Sequence, residues 1–269
     1  MSRLAFALLA VAATPALAAG PDPVEPQVAV AAPAPAPRPA FVFSLRGGVA
    51  ANPAYFGSDE TEIGPDLGFK FHFLRLPGGR EFGNPDPWAD TPGWDFHGAL
   101  AVIGERDPND HSELAGLDKV DTAVELGFGI GYTARNFEAF ADVRRGFGGH
   151  EGYVLEAGAD AVFRPSDRLK LTLGPRVLFG DDTYSDTYFG VSPAEASARL
   201  PAYDADGGLV SVGAELGMLY QINDVWGLEG AVTYDAFQND AEDSPIVRHG
   251  SSDQWGIRFG LTRVFSLGG

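Results

Sequence analysis

The sequence predicts an all-β fold, a closed antiparallel transmembrane β-barrel of about ten strands, within a range of roughly eight to twelve. Three observations lead to this prediction. Apolar residues recur at every second position from Phe41 onward, short and long connections alternate, and aromatic residues gather near the strand ends. A repeat of two residues is the strand period, which an amphipathic helix does not use. A soluble antiparallel protein is the alternative fold.

Two segments precede the predicted barrel. Residues 1–18 contain Arg3, an apolar run and an Ala-Leu-Ala stretch, a pattern typical of a cleaved secretory signal peptide. Residues 19–40 are rich in proline and alanine, which predicts an extended periplasmic linker or tail rather than a packed core. The barrel is therefore assigned to residues 41–269.

The strands are predicted where the alternation is regular. These segments are 41–49, 67–73, 94–103, 120–133, 137–143, 153–163, 169–179, 210–220, 226–234 and 255–265. Their apolar faces, which begin with Val120 in one segment and Val210 in another, are expected to contact lipid. The opposite faces carry charges of both signs, as a polar lumen requires. These lumen charges are Glu125, Asp142, Arg144, Asp160, Lys170, Arg176, Glu215, Glu229 and Arg258.

The connections sort into two kinds. Tight turns are predicted at 134–136, 165–168 and 222–225, and they alternate with long loops at 105–119, 180–208 and 236–254. Short periplasmic turns and long extracellular loops are typical of outer-membrane barrels. The connection from Leu74 to Gly93 is an exception, because it is long but lies on the short-turn side. It either contains a degenerate strand or folds back into the lumen.

Composition excludes several classes of function. The formal net charge is −18 and the chain has no cysteine. The absence of cysteine excludes a disulfide framework and zinc-thiolate sites, and the acidic balance argues against a nucleic-acid partner. We expect no cofactor, no resident metal and no catalytic residue. A membrane hydrolase remains an alternative through histidines beside acids, although His150 and His249 are expected in solvated loops.

The loop over residues 181–208 is the main candidate site. Its aromatic residues are expected to pack over the mouth of the barrel, and its acids form a candidate extracellular binding surface. The candidate residues are Asp181, Asp182, Tyr184, Asp186, Tyr188 and Phe189. Five aspartates in this loop also permit a calcium site, although the EF-hand spacing is missing.

Three stretches resemble one known family. "GPRVLFGDDTYSDTYFGVSPAEASARLPAYDADGGLVSVG", "AEDSPIVRHGSSDQWGIRFGLTRVF" and "PAYFGSDE" are similar to segments of the MipA/OmpV family of outer-membrane proteins. The resemblance implies a barrel in the outer membrane of a Gram-negative-type cell, in contact with lipid and lipopolysaccharide.

The resemblance also implies a function. It suggests a scaffold of the cell envelope that links a lytic transglycosylase to a penicillin-binding protein, with no catalytic residues of its own. Because the lumen charges could hold water, a small gated channel for small solutes is the alternative.

Overall fold

The computed structural model describes residues 39–268, so the predicted signal peptide and nearly all of the predicted linker lie outside the described residues. Eleven strands form a single antiparallel sheet. The strands are β1 (Phe41–Pro53), β2 (Thr61–Arg75), β3 (Glu81–Gly83), β4 (Gly93–Ile103), β5 (Ala123–Ala134), β6 (Phe137–Gly148), β7 (Tyr153–Ser166), β8 (Leu169–Gly180), β9 (Gly208–Gln221), β10 (Trp226–Phe237) and β11 (Asp253–Leu267).

Three short helices lie in the long loops: α1 (Asp182–Phe189), α2 (Asn239–Asp243) and α3 (Pro245–Arg248). A single 3₁₀ turn spans Ser112–Leu114. Within residues 39–268, no helix is both long and apolar enough to cross a membrane.

The sheet curves into a nearly closed barrel. Its order is β3-β2-β1-β11-β10-β9-β8-β7-β6-β5-β4, so the first long strand pairs with the last one. The ladder between them runs from Phe41↔Leu267 to Ala51↔Ile257. The fold class predicted from the sequence is therefore confirmed, and all ten predicted strands are present. β3 is an additional short strand.

Between β2 and β4, which are consecutive among the long strands, the sheet of the described residues is not joined. Among residues 39–268 no ladder connects β2 to β4, and we call this gap the seam. β3 pairs only with the end of β2, from Phe73↔Gly83 to Arg75↔Glu81. The connection on the short-turn side therefore does contain a degenerate strand, one of the two outcomes that the sequence left open.

The lipid-facing wall follows the predicted alternation. Outward aromatic side chains lie near both ends of the strands, including Trp94, Phe163 and Tyr132 at the short-turn end and Tyr153 and Trp255 at the long-loop end. Aliphatic side chains such as those of Leu126 and Leu216 occupy the band between them. This distribution matches the apolar belt and aromatic girdles of a transmembrane barrel.

Two residues depart from the predicted alternation. Val120 and Val210 are both buried, not turned to lipid. β5 begins only at Ala123, and Val120 forms an isolated bridge with Arg106 in the preceding loop. Val210 turns inward because the β8–β9 register shifts between Leu178 and Phe179. Both side chains join an apolar cluster at the long-loop end.

Candidate functional site

Four loops meet over the long-loop end of the barrel, and we call them the extracellular cap: residues 54–60, 104–122, 181–207 and 238–252. Two apolar clusters hold them together. One cluster contains Val120, Val154, Tyr184, Tyr188, Phe189, Ala205, Val210, Phe237, Ala241 and Val247. The other contains Tyr55, Leu114, Leu117, Val191, Leu200 and Ile246. Burial of this much apolar surface makes the cap a small folded layer and not a set of free loops.

Helix α1 forms the centre of the cap. Asp181 caps its start, since its Oδ1 accepts a hydrogen bond from the Tyr184 backbone N–H at 2.9 Å. Arg106 closes the other end by donating from Nη1 to the Tyr188 carbonyl at 2.8 Å. A cation is favoured at a helix C-terminus, which explains a buried guanidinium in this position. Desolvation by burial lowers the pKa of Arg106.

The predicted aromatic residues of the loop point into the cap. Tyr184, Tyr188 and Phe189 are almost fully buried. Burial raises the pKa of both tyrosine hydroxyls, so these rings stay neutral at physiological pH. Phe56 packs edge-on against Tyr188, with ring centroids 5.0 Å apart. This half of the candidate site therefore forms packed structure.

The predicted acids of the loop have structural partners or face solvent. Asp182 accepts a hydrogen bond from the Gly207 backbone N–H at 2.8 Å, which ties the two ends of the loop together. Burial, together with nearby Asp204 and Glu195, raises the pKa of Asp186. Within residues 39–268, no group of three or more histidine, aspartate or glutamate side chains is arranged to hold a metal ion.

A chain of charged residues lies directly beneath the cap. The His150 Nε2 lies 3.1 Å from the Glu125 Oε1, and the Arg144 Nε donates to the other Glu125 oxygen at 2.8 Å. Arg144 also pairs with Glu156 at 2.8 Å. His150 lies in a loop, but its side chain is fully buried, so the prediction of a solvated histidine is wrong for this residue. Gly146 provides the room, because a Cβ there would collide with the imidazole.

The charges predicted for the lumen face are paired along the barrel. Arg176 contacts Asp160 at 3.0 Å and Glu215 at 3.7 Å, and Glu215 also pairs with Arg258 at 3.2 Å. Lower down, Arg46 joins Glu229 at 3.1 Å and Asp66 at 2.7 Å. These contacts form a network of alternating sign across several strands.

A third group of lumen contacts involves a histidine. Asp142 lies 2.9 Å from the His97 Nε2, and Asp95 lies 2.8 Å from the Nδ1 of the same ring. His97 thus joins Asp95 of its own strand, β4, to Asp142 on β6, across the intervening β5.

The short-turn end is crossed by residues 76–92, which we call the periplasmic strap. The Trp88 indole N–H donates to the Asp224 carbonyl at 2.9 Å, and its ring packs against the buried Val42, Phe73 and Val264. Asp90 pairs with Arg164, and with Lys170 at 3.1 Å. The strap therefore reaches from β2 to the opposite wall, which is the second outcome that the sequence left open for this connection.

A cavity of about 530 Å³ lies between the cap and the charged network. Its cap side is aromatic, with Tyr55, Phe56 and Tyr188 among the lining residues. Its barrel side is charged, with Arg144 and Asp235. Volume and mixed lining are those of a small-molecule site.

Several of these residues could not be identified from the sequence. Arg106, Trp88 and Asp90 lie in irregular segments, where no periodicity indicates which way a side chain points. A bulky aromatic residue in a Pro/Gly-rich connection was the only available signal for Trp88.

Comparisons with known proteins agree with the barrel. The profile of the family described as MltA-interacting protein MipA matches residues 45–265. Outer membrane protein Omp26La of Vibrio anguillarum is 27% identical over 158 residues, which are 55% of this chain and 57% of that protein. Outer membrane protein OmpV of Vibrio cholerae serotype O1 is 35% identical over 79 residues, 29% of this chain and 30% of that protein. The matches thus span about half or less of these relatives.

Solved structures with a similar architecture include an outer-membrane channel from Pseudomonas putida F1, with 11% identity and a TM-score of 0.44 over 85% of this chain and 96% of that one. The outer membrane protein OprG from Pseudomonas aeruginosa has 10% identity and a TM-score of 0.29, over 85% and 98% of the two chains. The outer-membrane relatives and the chain's own antiparallel barrel together place it in the outer membrane.

Proposed function

Because the chain belongs to the family of MltA-interacting protein MipA, we propose that this outer-membrane barrel is a non-enzymatic scaffold of the cell envelope. Its partner on the periplasmic side would be a murein transglycosylase of the kind that the family description names, with a penicillin-binding protein as a second partner. Outer-membrane lipid and lipopolysaccharide would surround the wall and the acidic extracellular loops.

One observation supports the scaffold most strongly: the lumen is covered at both ends, and the nine lumen charges predicted from the sequence are all paired. The extracellular cap packs through two apolar clusters, and the periplasmic strap is fixed by Trp88 and Asp90. A barrel filled in this way offers surfaces for binding more readily than a passage for solutes.

The docking surface would be the tip of the periplasmic strap. Residues 77–80 are exposed, and Gly78 and Gly79 adopt positive φ angles that form a tight turn. The predicted linker ends beside the strand that leads into this tip, since the Ala40 carbonyl accepts a hydrogen bond from the Arg75 backbone N–H at 2.7 Å. Tip and linker together give a periplasmic partner two adjacent contact regions.

The experiment measures binding of a purified MltA-type transglycosylase to the full-length protein in nanodiscs by biolayer interferometry. Arg80→Glu at the strap tip is expected to weaken binding, whereas Arg168→Glu, an equally exposed arginine on a different periplasmic turn, should not. Glu215→Ala in the lumen should also bind normally. Equal affinity for all variants, or no binding of the unaltered protein, would contradict the scaffold.

A small gated channel is the second candidate, favoured by the cavity of about 530 Å³ and the charged lumen. Planar-bilayer conductance distinguishes the two functions. Steady conductance of the intact protein supports the channel. Conductance only after deletion of residues 182–206 supports a barrel that the cap closes. If neither protein conducts, the channel is contradicted and the scaffold is favoured.

A further inference from the structure

At the seam, the backbone N–H and C=O groups on the facing edges of β2 and β4 form no ladder. Every other pair of neighbouring long strands in residues 39–268 is joined by one. The β4–β5 ladder, for comparison, runs without a break from Gly93↔Thr133 to Ile103↔Ala123. Hydrocarbon supplies no hydrogen-bond donor or acceptor, so unpaired strand edges at membrane depth must border water, protein or a bound molecule. The seam is therefore the part of the wall through which the lumen is accessible from the surrounding lipid.

The part of the seam beside the cavity lies toward the outer leaflet. β3 occupies the edge of β2 only at Phe73–Arg75, which is the periplasmic end of that strand. The apolar side chains that flank the extracellular part are well exposed: Ile63 at 81% and Leu67 at 78% on β2, and Val102 at 62% on β4. A molecule that reaches the cavity through this part of the seam comes from the outer leaflet.

The seam also leads to the cavity beneath the cap. Glu62 and Gly64 of β2 and Ala101 and Ile103 of β4 line that cavity. A Cβ added at Gly64 would meet no atom within 4 Å. The same two strands that lack a ladder thus form one wall of the cavity, which connects the lipid side of the seam to the upper lumen.

We propose that this cavity binds a small amphiphile with a cationic head, which enters sideways from the outer leaflet through the seam. The volume of about 530 Å³ suits a single-chain molecule. The aromatic underside of the cap, where Phe56 is only partly buried, offers an apolar surface to the tail.

The head-group preference comes from Asp235. Glu125 and Glu156 share Arg144, and Arg176 is held by Asp160 and Glu215. Asp235 also lines the cavity, yet it forms no ion pair within residues 39–268 and only meets the Ser211 hydroxyl at 3.5 Å. A half-buried carboxylate without a cationic partner favours a ligand that brings a positive charge.

A second copy of the chain is the competing occupant of the seam. Strand pairing between copies would use the free edges of β2 and β4, and β3 already covers the periplasmic end of the β2 edge. The edge that remains leads into a cavity, which is better filled by a small molecule than by a strand.

The absence of cysteine allows a direct test in lipid vesicles. Gly64→Cys places a thiol inside the seam, and Gly47→Cys places one on the outer wall, where a Cβ also meets no atom within 4 Å. Hexadecyl maleimide dissolved in the membrane should label both thiols. Ala101→Trp, which narrows the seam from β4, should slow labelling of Gly64→Cys roughly tenfold and leave Gly47→Cys unchanged.

The head-group preference is measured by how well an added amphiphile protects the Gly64→Cys thiol from hexadecyl maleimide. Submicellar dodecyltrimethylammonium should protect Gly64→Cys roughly tenfold better than dodecyl sulfate, and Asp235→Asn should remove that difference. Heat-modifiable mobility in gels verifies that each variant is folded.

Three results would overturn the proposal. These are labelling of Gly64→Cys by a sulfonated maleimide in water but not by the membrane reagent, equal protection by both amphiphiles, and protection that rises with protein concentration together with a dimer on cross-linking. The last result would assign the seam to a second copy.

Discussion

The extracellular cap and the periplasmic strap cover the same lumen, but different forces hold them. The cap buries aromatic and aliphatic side chains from four loops in two clusters. The strap has one aromatic anchor, Trp88, and the short β2–β3 ladder at one end, and it reaches the opposite wall through Asp90, whose side chain is 31% exposed and lies between two cations. Screening by salt weakens partly exposed ion pairs but does not weaken apolar burial. The strap is therefore the end that opens more easily.

The largest expected effect comes from the cap. Phe189→Ala removes a fully buried ring from the centre of the first cluster, and it should lower the free energy of opening of the cap by about 3–5 kcal/mol. Hydrogen exchange of amides in residues 181–207 measures this quantity. Phe179→Ala removes an outward, half-exposed ring of the neighbouring strand and should leave cap exchange unchanged. Equal effects of both variants would mean that the cap is not held by its cluster.

The second-largest effect is expected in the chain of charged residues beneath the cap. Glu125→Ala removes the carboxylate that contacts both His150 and Arg144, and leaves a buried guanidinium with Glu156 alone. Breaking a buried pair in this way should destabilise the barrel by about 3 kcal/mol. Urea unfolding in vesicles, followed by tryptophan fluorescence, gives the value. A decrease in the free energy of unfolding no larger than that of an exposed ion pair would show that water already reaches Glu125 and Arg144.

A smaller effect is expected at the strap. Asp90→Asn should cost about 1 kcal/mol or less, because both of its ion pairs are partly exposed. The measurement is acrylamide quenching of Trp88 in a protein whose other three tryptophans, Trp94, Trp226 and Trp255, are replaced by phenylalanine. Quenching should rise in the variant, and high salt should produce the same rise in the parent. Salt-independent quenching would assign the strap to Trp88 packing alone.

The smallest effect concerns pH and two acids of the cap. Desolvation opposes ionisation of Glu195, but hydrogen bonds from the Asp118 and Ser192 backbone N–H groups prevail and lower its pKa. Its stabilising contribution is thus present above the ordinary carboxyl pKa of about 4.3 and is lost as pH falls through the lowered value. Asp186 behaves oppositely, since burial and neighbouring acids raise its pKa.

These directions predict the behaviour of two matched amide variants. At about pH 7, Glu195→Gln should speed hydrogen exchange in the cap, and Asp186→Asn should slow it slightly. Both differences should shrink in acid, as the parent carboxyls become protonated. If the two variants shifted exchange in the same direction, the pKa assignments would be wrong.

The barrel wall could be predicted from the sequence because its signal is local. A period of two residues places Leu126 outside and Glu125 inside without knowledge of any other strand. The partners of Glu125 are harder to predict from the sequence. Arg144 follows from the β5–β6 register, but His150 comes from a loop. Contacts of the strap, such as that of Asp90 with Arg164, join an irregular segment to a strand that is distant in the sequence. No sequence pattern predicts such a contact.

The ladder between β1 and β11 has a consequence for how the chain reaches its native state. Phe41 pairs with Leu267, so the joint between the first and last strands of the barrel depends on contacts between residues far apart in the sequence. Such contacts form late, because the loop-closure entropy must be overcome before they stabilise anything. Every other ladder in the barrel joins strands that are neighbours in the chain. Until β11 docks, β1 presents an unpaired edge, and this intermediate is the one that an assembly factor or chaperone would need to shield.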